Sequence, residues 1–303
     1  MDELDTANRL ASAEKSTATR RAYAADFAIF SNWCRNRGVT PLPAEPATVS
    51  AFLAFEVGRG RRPSTLGRRL AAIQFRHLTA GYEPPTTAET VRATLRGIRR
   101  VFGTARHRKA PATAGLTKAM ARSTSSSLVG LRDRALILLG FAGALRRSEL
   151  VALDASDLLR TENGLLVTIR RSKTDQEAEG TTIAISRGSQ DCPVKAVEAW
   201  LRAASITEGA VFRPIGRSGK VSDRRLCDRA VTVMIKRYAK QTGLDPKIFS
   251  AHSLRSGFLT SAAANGASIF KMMDVSRHKS MDTLRAYVRD AELFVDHAGA
   301  GLL

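Results

Sequence analysis

Apolar residues in the first hundred positions recur at intervals of three or four, the spacing of one face of an α-helix. Proline, serine or threonine precedes two of these runs and glycine follows two, as is usual where helices begin and end. Residues 1–103 are therefore predicted to form a small bundle of four helices. Their apolar positions are Tyr23, Phe27, Phe30 and Cys34; Phe52 and Leu53; Leu66, Leu70, Ile73 and His77; and Val91, Leu95, Ile98 and Phe102.

The periodicity stops between residues 104 and 117, where the chain is basic and contains Pro111. This composition is typical of an extended linker between domains, although a surface loop within one domain has the same composition. A long apolar helix follows at Leu131–Phe141, then two strand patterns at Leu165–Ile169 and Thr181–Ile185 around a polar hairpin. Residues 118–303 are thus predicted to form an α+β domain, and the chain to be mainly α with a small antiparallel sheet.

Net charge is the most informative feature of the composition. Lys and Arg number 48 against 28 Asp and Glu, which gives the 303 residues a formal net charge of +20. An excess of this size indicates a polyanionic partner, with nucleic acid first and an anionic membrane second. The membrane is disfavoured because no apolar run approaches the ~20 residues that span a bilayer, and because the acidic start does not suit a secretory signal.

The cysteines Cys34, Cys192 and Cys227 lie far apart and have no CxxC spacing. This arrangement predicts a reducing, cytoplasmic environment and argues against both a disulfide framework and a zinc site. The sequence also lacks a GxxxxGK[ST] phosphate loop and a carboxylate cluster suited to Mg²⁺. Neither a metal nor a nucleotide cofactor is therefore predicted.

Four separated motifs carry candidate chemistry. The first runs from Gly143 to Leu150 and contains Arg146, Arg147 and Glu149; the others are Lys173 in the hairpin, the HxxR motif His252–Arg255, and His278 followed nine residues later by Tyr287. Arginine is suited to phosphate because its planar guanidinium donates two parallel hydrogen bonds. Two arginines from distant chain segments, Arg146 and Arg255, could bind a phosphate from different sides.

In this order the motifs resemble those of the tyrosine recombinase (phage integrase) family, in a Cre-like form, over roughly residues 15 to 295. The resemblance implies a helical, SAM-like core-binding domain over residues 1–103, a linker over 104–117, and a catalytic domain over 118–303 that ends in an exchange tail. It also implies an enzyme that cleaves and rejoins DNA at specific sites through a 3′-phosphotyrosine, without ATP, metal or another cofactor.

By the same resemblance Tyr287 is the nucleophile, and Arg146 and Arg255 clamp the phosphate with His278 as a third donor. Preorganised donors of this kind are worth ~3 kcal/mol each when removed singly. Lys173 is the implied general acid for the leaving 5′-oxygen, and His252 takes or shares the tyrosine proton.

Glu149 is expected to orient Arg146 or a histidine. The implied partner is double-stranded DNA with an inverted-repeat site, bound by a homotetramer on paired sites. The helix from Pro63 to Leu78 is expected to enter the major groove. The residues predicted to contact DNA are Arg20, Arg21, Arg61, Arg62, Thr65, Arg68, Arg69, Arg147 and Lys279.

Three positions depart from the family pattern. Ala144 stands where glycine is common, Ser256-Gly257 follows the HxxR arginine in place of His-Thr, and Val275-Ser276-Arg277 precedes His278 in place of Leu-Gly. Two alternatives remain at this stage. One is a catalytically silent DNA-binding accessory protein on the same fold, and the other is a type IB topoisomerase or telomere resolvase.

Overall fold

The computed structural model describes residues 2–3, 5–7, 10, 14–104, 109–170 and 180–291. The chain divides into two compact units, Met1–His107 and Arg108–Leu303, each with its own hydrophobic core. Where described, the first unit is built from helices, and the second combines helices with one three-stranded antiparallel sheet. The predicted fold class, mainly α with a small antiparallel sheet, is confirmed.

Three helices of the first unit begin at proline or just after serine, residues that are favoured at helix N-termini. Pro46 and Pro63 stand at the N-terminal positions of their helices, where the missing N–H has no intrahelical partner to lose. The side-chain oxygen of Ser16 accepts the backbone N–H of Thr19 at 3.2 Å. The elements are α1 (Thr17–Arg35), α2 (Pro46–Gly58), α3 (Pro63–Thr79), a 3₁₀ turn (Pro85–Thr87) and α4 (Glu89–Phe102).

Arg69 on α3 is buried in the first unit. Its side chain is 6% exposed and pairs with the buried carboxylates of Glu56 and, at 3.8 Å, Asp26. A guanidinium enclosed in this way does not reach a DNA groove, so the prediction that Arg69 contacts DNA is wrong. The spacing in the sequence already indicated that Arg69 is buried, because it is three residues after Leu66 and four before Ile73, on the buried face of the helix.

The other basic candidates of this unit lie at its surface. Arg68 keeps a side chain that is 55% exposed while its Nε and Nη2 donate to Asp26 at 2.6 and 3.1 Å. Thr65 is half-buried, and the remaining candidates, Arg20, Arg21, Arg61 and Arg62, are exposed. Their contacts with DNA stay predictions.

The core of the second unit surrounds one apolar helix, α6, which packs against α8 and α10. The sheet has the order β1-β2-β3, with Leu165 opposite Ile185 and Val167 opposite Ile183 on its buried face. The elements are α5 (Ala114–Arg122), α6 (Leu128–Ala142), α7 (Arg147–Ala152), β1 (Leu158–Arg160), β2 (Gly164–Ile169), β3 (Thr181–Ser186), α8 (Pro193–Ala203), α9 (Asp228–Gln241), α10 (His252–Ala264), α11 (Ile269–Ser276) and α12 (Met281–Ala291).

The second half of the predicted linker belongs to the second unit. Ala112 donates its N–H to the carbonyl of Ser253 at 2.8 Å, and α5 begins at Ala114. A Cβ at Gly257 would lie 1.8 Å from the carbonyl oxygen of Ala112, so the two backbones pass each other where only glycine fits. The prediction of a linker as far as residue 117 is therefore wrong. Its residues 105–108 lie outside the described residues.

No helix in the described part of the chain combines the length and apolarity needed to cross a membrane.

Candidate active site

Three chain segments meet at the C-terminal end of α6: the turn from α6 to α7, the first turn of α10, and the turn between α11 and α12. In the first segment a Cβ at Gly143 would lie 3.0 Å from Ile183 Cδ1, so a larger residue would press on the sheet. Ala144 follows with a φ of +44° and is fully buried. This left-handed conformation costs a residue with a Cβ about 1–2 kcal/mol, so alanine is accommodated here with backbone strain.

Glu149 lies in the first turn of α7 and is buried. Its Oε2 accepts the backbone N–H of Arg146 at 2.9 Å and Nη2 of Arg277 at 2.8 Å, while Oε1 accepts Nη1 of Arg146. Burial by itself would raise the pKa of Glu149, but the charge of Arg277 and the hydrogen bonds and charge of Arg146 outweigh it and lower that pKa. The carboxylate is therefore ionised and bound to two guanidiniums.

The first turn of α10 carries both residues of the HxxR motif. Arg255 is 1% exposed, and its Nη1 donates to the carbonyl oxygen of Ala144 at 2.6 Å. Burial, followed by the charges of Arg146 and Arg277, lowers the pKa of Arg255 to about 9, so the group remains protonated at neutral pH. His252 lies one helical turn away on the same face and is exposed.

His278 follows α11 and lies beside Arg255, whose Nη2 is 3.3 Å from both ring nitrogens. The buried Ser276 hydroxyl is 2.8 Å from His278 Nδ1 and 2.6 Å from the carbonyl oxygen of Met272. A hydroxyl has one hydrogen. When it donates to Met272, His278 carries its proton on Nδ1; when it donates to Nδ1, the proton is on Nε2 and a neutral ring can donate to a phosphate.

Tyr287 lies on α12, which packs against α10. Its ring is half-buried against the apolar cluster that includes Leu259, Met272 and Leu284. A phenolate at Tyr287 would oppose the lowering of the Arg255 pKa. The hydroxyl is thus within electrostatic reach of the buried arginine.

Comparison with known proteins decides the family. The sequence model of the phage integrase family matches residues 115–293, more than half of the chain. The chain belongs to the phage integrase family.

Its relatives are recombinases. An integrase/recombinase XerD homolog of Selenomonas ruminantium is 39% identical over 293 residues, which cover 94% of this chain and 86% of that protein. The Cre recombinase of Escherichia phage P1 is 24% identical over 279 residues, covering 86% and 80%. This phage integrase is accordingly a tyrosine-type, site-specific DNA strand-transfer enzyme, and the family assignment from the motifs is confirmed.

A solved structure shows the same fold. The XerH site-specific recombinase in a post-cleavage complex with a palindromic difH substrate has a TM-score of 0.64 and 17% identity, covering 85% of this chain and 72% of that one. At this identity the likeness shows the fold, and the residues of the site rest on the contacts described above.

Two candidates lie apart from this cluster. Arg147 is half exposed and pairs with Asp228 at 3.0 Å, and Lys279 is exposed. Lys173 lies outside the described residues, so its place in the site of this phage integrase stays a prediction. No group of three or more His, Cys, Asp or Glu side chains within the described ranges could hold a metal ion.

Two residues of the site were not assigned a role from the sequence. Arg277 donates to Glu149, and the Ser276 hydroxyl contacts His278. Both residues lie in the segment that departs from the Leu-Gly pattern of the family. The departure itself was the available signal, because an arginine in place of glycine directly before an expected site histidine brings a charge into the site.

We expect His278 to make the stability of the folded protein depend on pH. Burial, followed by the charges of Arg255, Arg146, His252 and Arg277, lowers the pKa of His278 to about 4, against an ordinary value of about 6.5. Between these values the unfolded chain binds a proton that the folded protein does not. The stability contributed by a neutral His278 is therefore complete above pH 6.5 and is lost as the pH falls towards 4.

The test compares thermal unfolding of wild type and His278→Gln between pH 7 and 4.5. The remaining titratable groups are the same in both proteins, so wild type should lose more stability over this range than the variant. Parallel curves would show that His278 titrates normally in the free protein.

Proposed function

We propose that this phage integrase cleaves its DNA by attack of the Tyr287 hydroxyl on the scissile phosphate, held between Arg146 and Arg255. The supporting observation is the convergence of these arginines from distant segments. Arg146 is anchored by Glu149 and Arg255 by the carbonyl of Ala144. Each guanidinium has five N–H donors, more than these anchors use. Fixed donors of this kind stabilise the negative charge that develops on the non-bridging oxygens.

In the proposed step the bond from Tyr287 Oη to phosphorus forms as the bond from phosphorus to the 5′-oxygen breaks. His252 accepts the tyrosine proton. Although part of this residue is exposed, the partial desolvation of its ring, followed by the charges of Arg255 and Arg146, lowers its pKa and favours the neutral ring that an acceptor needs. Lys173 gives a proton to the leaving 5′-oxygen. The products are a 3′-phosphotyrosine and a 5′-hydroxyl, and attack by a second 5′-hydroxyl reverses the step and rejoins a strand.

His278 is proposed as the third donor to the phosphate. Its Nε2 carries the required proton when the Ser276 hydroxyl donates to Nδ1, or when the ring is protonated. An arriving phosphate favours both states, because its negative charge stabilises a proton on the nitrogen that faces it.

The proposed partner is a duplex with an inverted-repeat site, read by protomers that form a tetramer on two paired sites in the cytoplasm. The excess of positive charge supports phosphate contacts, which position the protein without specifying sequence. A palindromic substrate in the XerH structure supports the repeat. The proposed DNA contacts are Arg20, Arg21, Arg61, Arg62, Thr65, Arg68, Arg147 and Lys279.

The covalent step can be tested with a nicked duplex that carries the target site, from which the cut end diffuses away. The proposal expects a protein–DNA adduct whose phosphorylated peptide contains Tyr287. Relaxation of supercoiled DNA that lacks any target site would instead indicate a topoisomerase.

Assembly is tested by deleting residues 292–303, which lie outside the described residues. By the family resemblance this tail docks into a neighbouring protomer, and its apolar Leu293, Phe294, Leu302 and Leu303 suit such contact. The deletion should leave binding to a single site intact but sharply reduce pairing of sites and recombination, as measured by native gel shift and a two-site recombination assay. Recombination at the full rate would show that assembly is governed elsewhere.

A further inference from the structure

Arg277 is the one residue between His278 and the buried Ser276, and it adopts a conformation that arginine seldom takes. Its φ is +56° and its ψ 42°, the left-handed region at the C-terminal cap of α11. Glycine is favoured at this cap because it has no Cβ to clash. The backbone alone therefore gives no reason for an arginine, and the reason must be sought in its side chain.

The side chain of Arg277 is 7% exposed and turns into the active site. Its Nη2 donates to Glu149 Oε2 at 2.8 Å and to the carbonyl of Ala144 at 3.4 Å, and its Nη1 donates to the carbonyls of Gly143 at 3.2 Å and Val275 at 2.5 Å. One guanidinium thus joins the α11–α12 turn, which carries His278, to the α6–α7 turn, which carries Arg146.

These contacts also change the charge balance around the phosphate site. Glu149 is shared by Arg146 and Arg277, and Arg255 lies beside them. With Arg277 present, two guanidiniums share the one carboxylate, and Arg255 adds a third positive charge without bonding it. Without Arg277, Glu149 would be bonded to Arg146 alone, and its negative charge would cancel the positive charge of Arg146. Arg146 is the more exposed of the two partners of Glu149, with a side chain that is 18% exposed. Opposite charges in contact and shielded from water interact strongly.

We propose that Arg277 is a positioning residue that shares Glu149 with Arg146, so that Arg146 keeps its positive charge for the scissile phosphate and His278 is held at a fixed place beside it. The proposal rests on the proposed function, since it assigns Arg277 an effect on the same cleavage step. Arg277 acts through Glu149, Arg146 and His278, and this role does not require it to contact the DNA.

The test measures single-turnover cleavage at saturating DNA, together with DNA affinity and thermal unfolding. Arg277→Gly should fold, because glycine suits the left-handed cap, and should bind DNA nearly as wild type does. We expect its cleavage rate to fall about 10-fold or more, by analogy with the loss of residues that orient the ligands of metal sites. Arg277→Lys keeps a charge but loses the forked contacts, and should lie between the two.

The double variant Glu149→Gln/Arg277→Gly separates charge sharing from a purely structural role. Removing both opposite charges returns the positive charge of Arg146, so the double variant should cleave faster than Arg277→Gly. A structural role predicts the reverse, because two supports would be lost. Arg132→Ala is the control for loss of a largely buried arginine. Arg132 pairs with Asp133 at 2.9 Å on α6, about 16 Å along the helix from Gly143. This variant should lose stability and keep its cleavage rate.

Arg277→Gly cleaving at the wild-type rate would overturn the proposal, and so would a double variant slower than Arg277→Gly. In either case wild type would still form its Tyr287 adduct, and the proposed function would stand. If wild type forms no adduct at Tyr287, the proposed function fails and this inference fails with it.

Discussion

Tyr287→Phe is expected to form no covalent adduct with DNA while it binds the target site with nearly unchanged affinity. The substitution removes only the hydroxyl, and the ring can still pack against Leu259, Met272 and Leu284. Denaturing gels of the reaction on the nicked duplex measure the adduct, and native gel shift measures the affinity. The loss of adduct should be complete within detection, because no other group is proposed to form the bond to phosphorus.

Tyr238→Phe provides the matched control for this variant. Tyr238 is buried in the same unit, and its hydroxyl donates to Asp133 at 3.1 Å. Its loss should reduce stability, by about 1 kcal/mol or more for a buried hydrogen bond, and leave the adduct intact. An adduct formed by Tyr287→Phe would place the nucleophile at another residue.

Arg146→Lys is expected to lower the cleavage rate by ~100-fold or more, with little change in DNA binding. Lysine keeps the charge but lacks the planar fork with which Arg146 can bond Glu149 and a phosphate at once. Single-turnover cleavage at saturating DNA measures the effect, and addition of EDTA should change neither protein. Cleavage near the wild-type rate would assign the clamp to Arg147.

The control for this substitution is Arg122→Lys on α5. Arg122 is largely exposed and donates to both carboxylate oxygens of Asp191, at 2.7 and 3.1 Å. The pair lies at the surface, where such interactions contribute little. This variant should keep both its stability and its cleavage rate, so a loss limited to Arg146→Lys would be specific to the site.

Hydrophobic spacing predicted most of the fold, because most helices here have one buried face. It missed β1, which has three residues of which two are exposed, and α5, whose first four residues were assigned to the linker. The linker error has a physical cause. The residues assigned to the linker are held by contacts with α10, more than a hundred positions away in the sequence, such as that of Ala112 with Ser253. Such distant contacts cannot be predicted from local composition.

The site could be proposed from the order of its motifs, but its internal contacts could not. Periodicity does not show that Arg255 donates to the carbonyl of Ala144, because that contact depends on how α6 and α10 pack. Arg69 shows the converse error. Its charge favoured an interpretation as a DNA contact, although its position on the apolar face of α3 indicated burial.

The two left-handed residues of the site should behave differently in a search for more heat-stable variants. Ala144 and Arg277 both occupy backbone conformations that suit glycine. Selection for thermal stability would therefore favour glycine at Ala144, where the substitution relieves strain and removes only a methyl group. At Ala144 the change keeps the carbonyl that Arg255 and Arg277 share. At Arg277 glycine would relieve the same backbone strain but remove the ion pair with buried Glu149, so relief of strain and loss of contacts oppose each other there. A search for heat-stable variants should therefore recover glycine at position 144 and keep arginine at position 277.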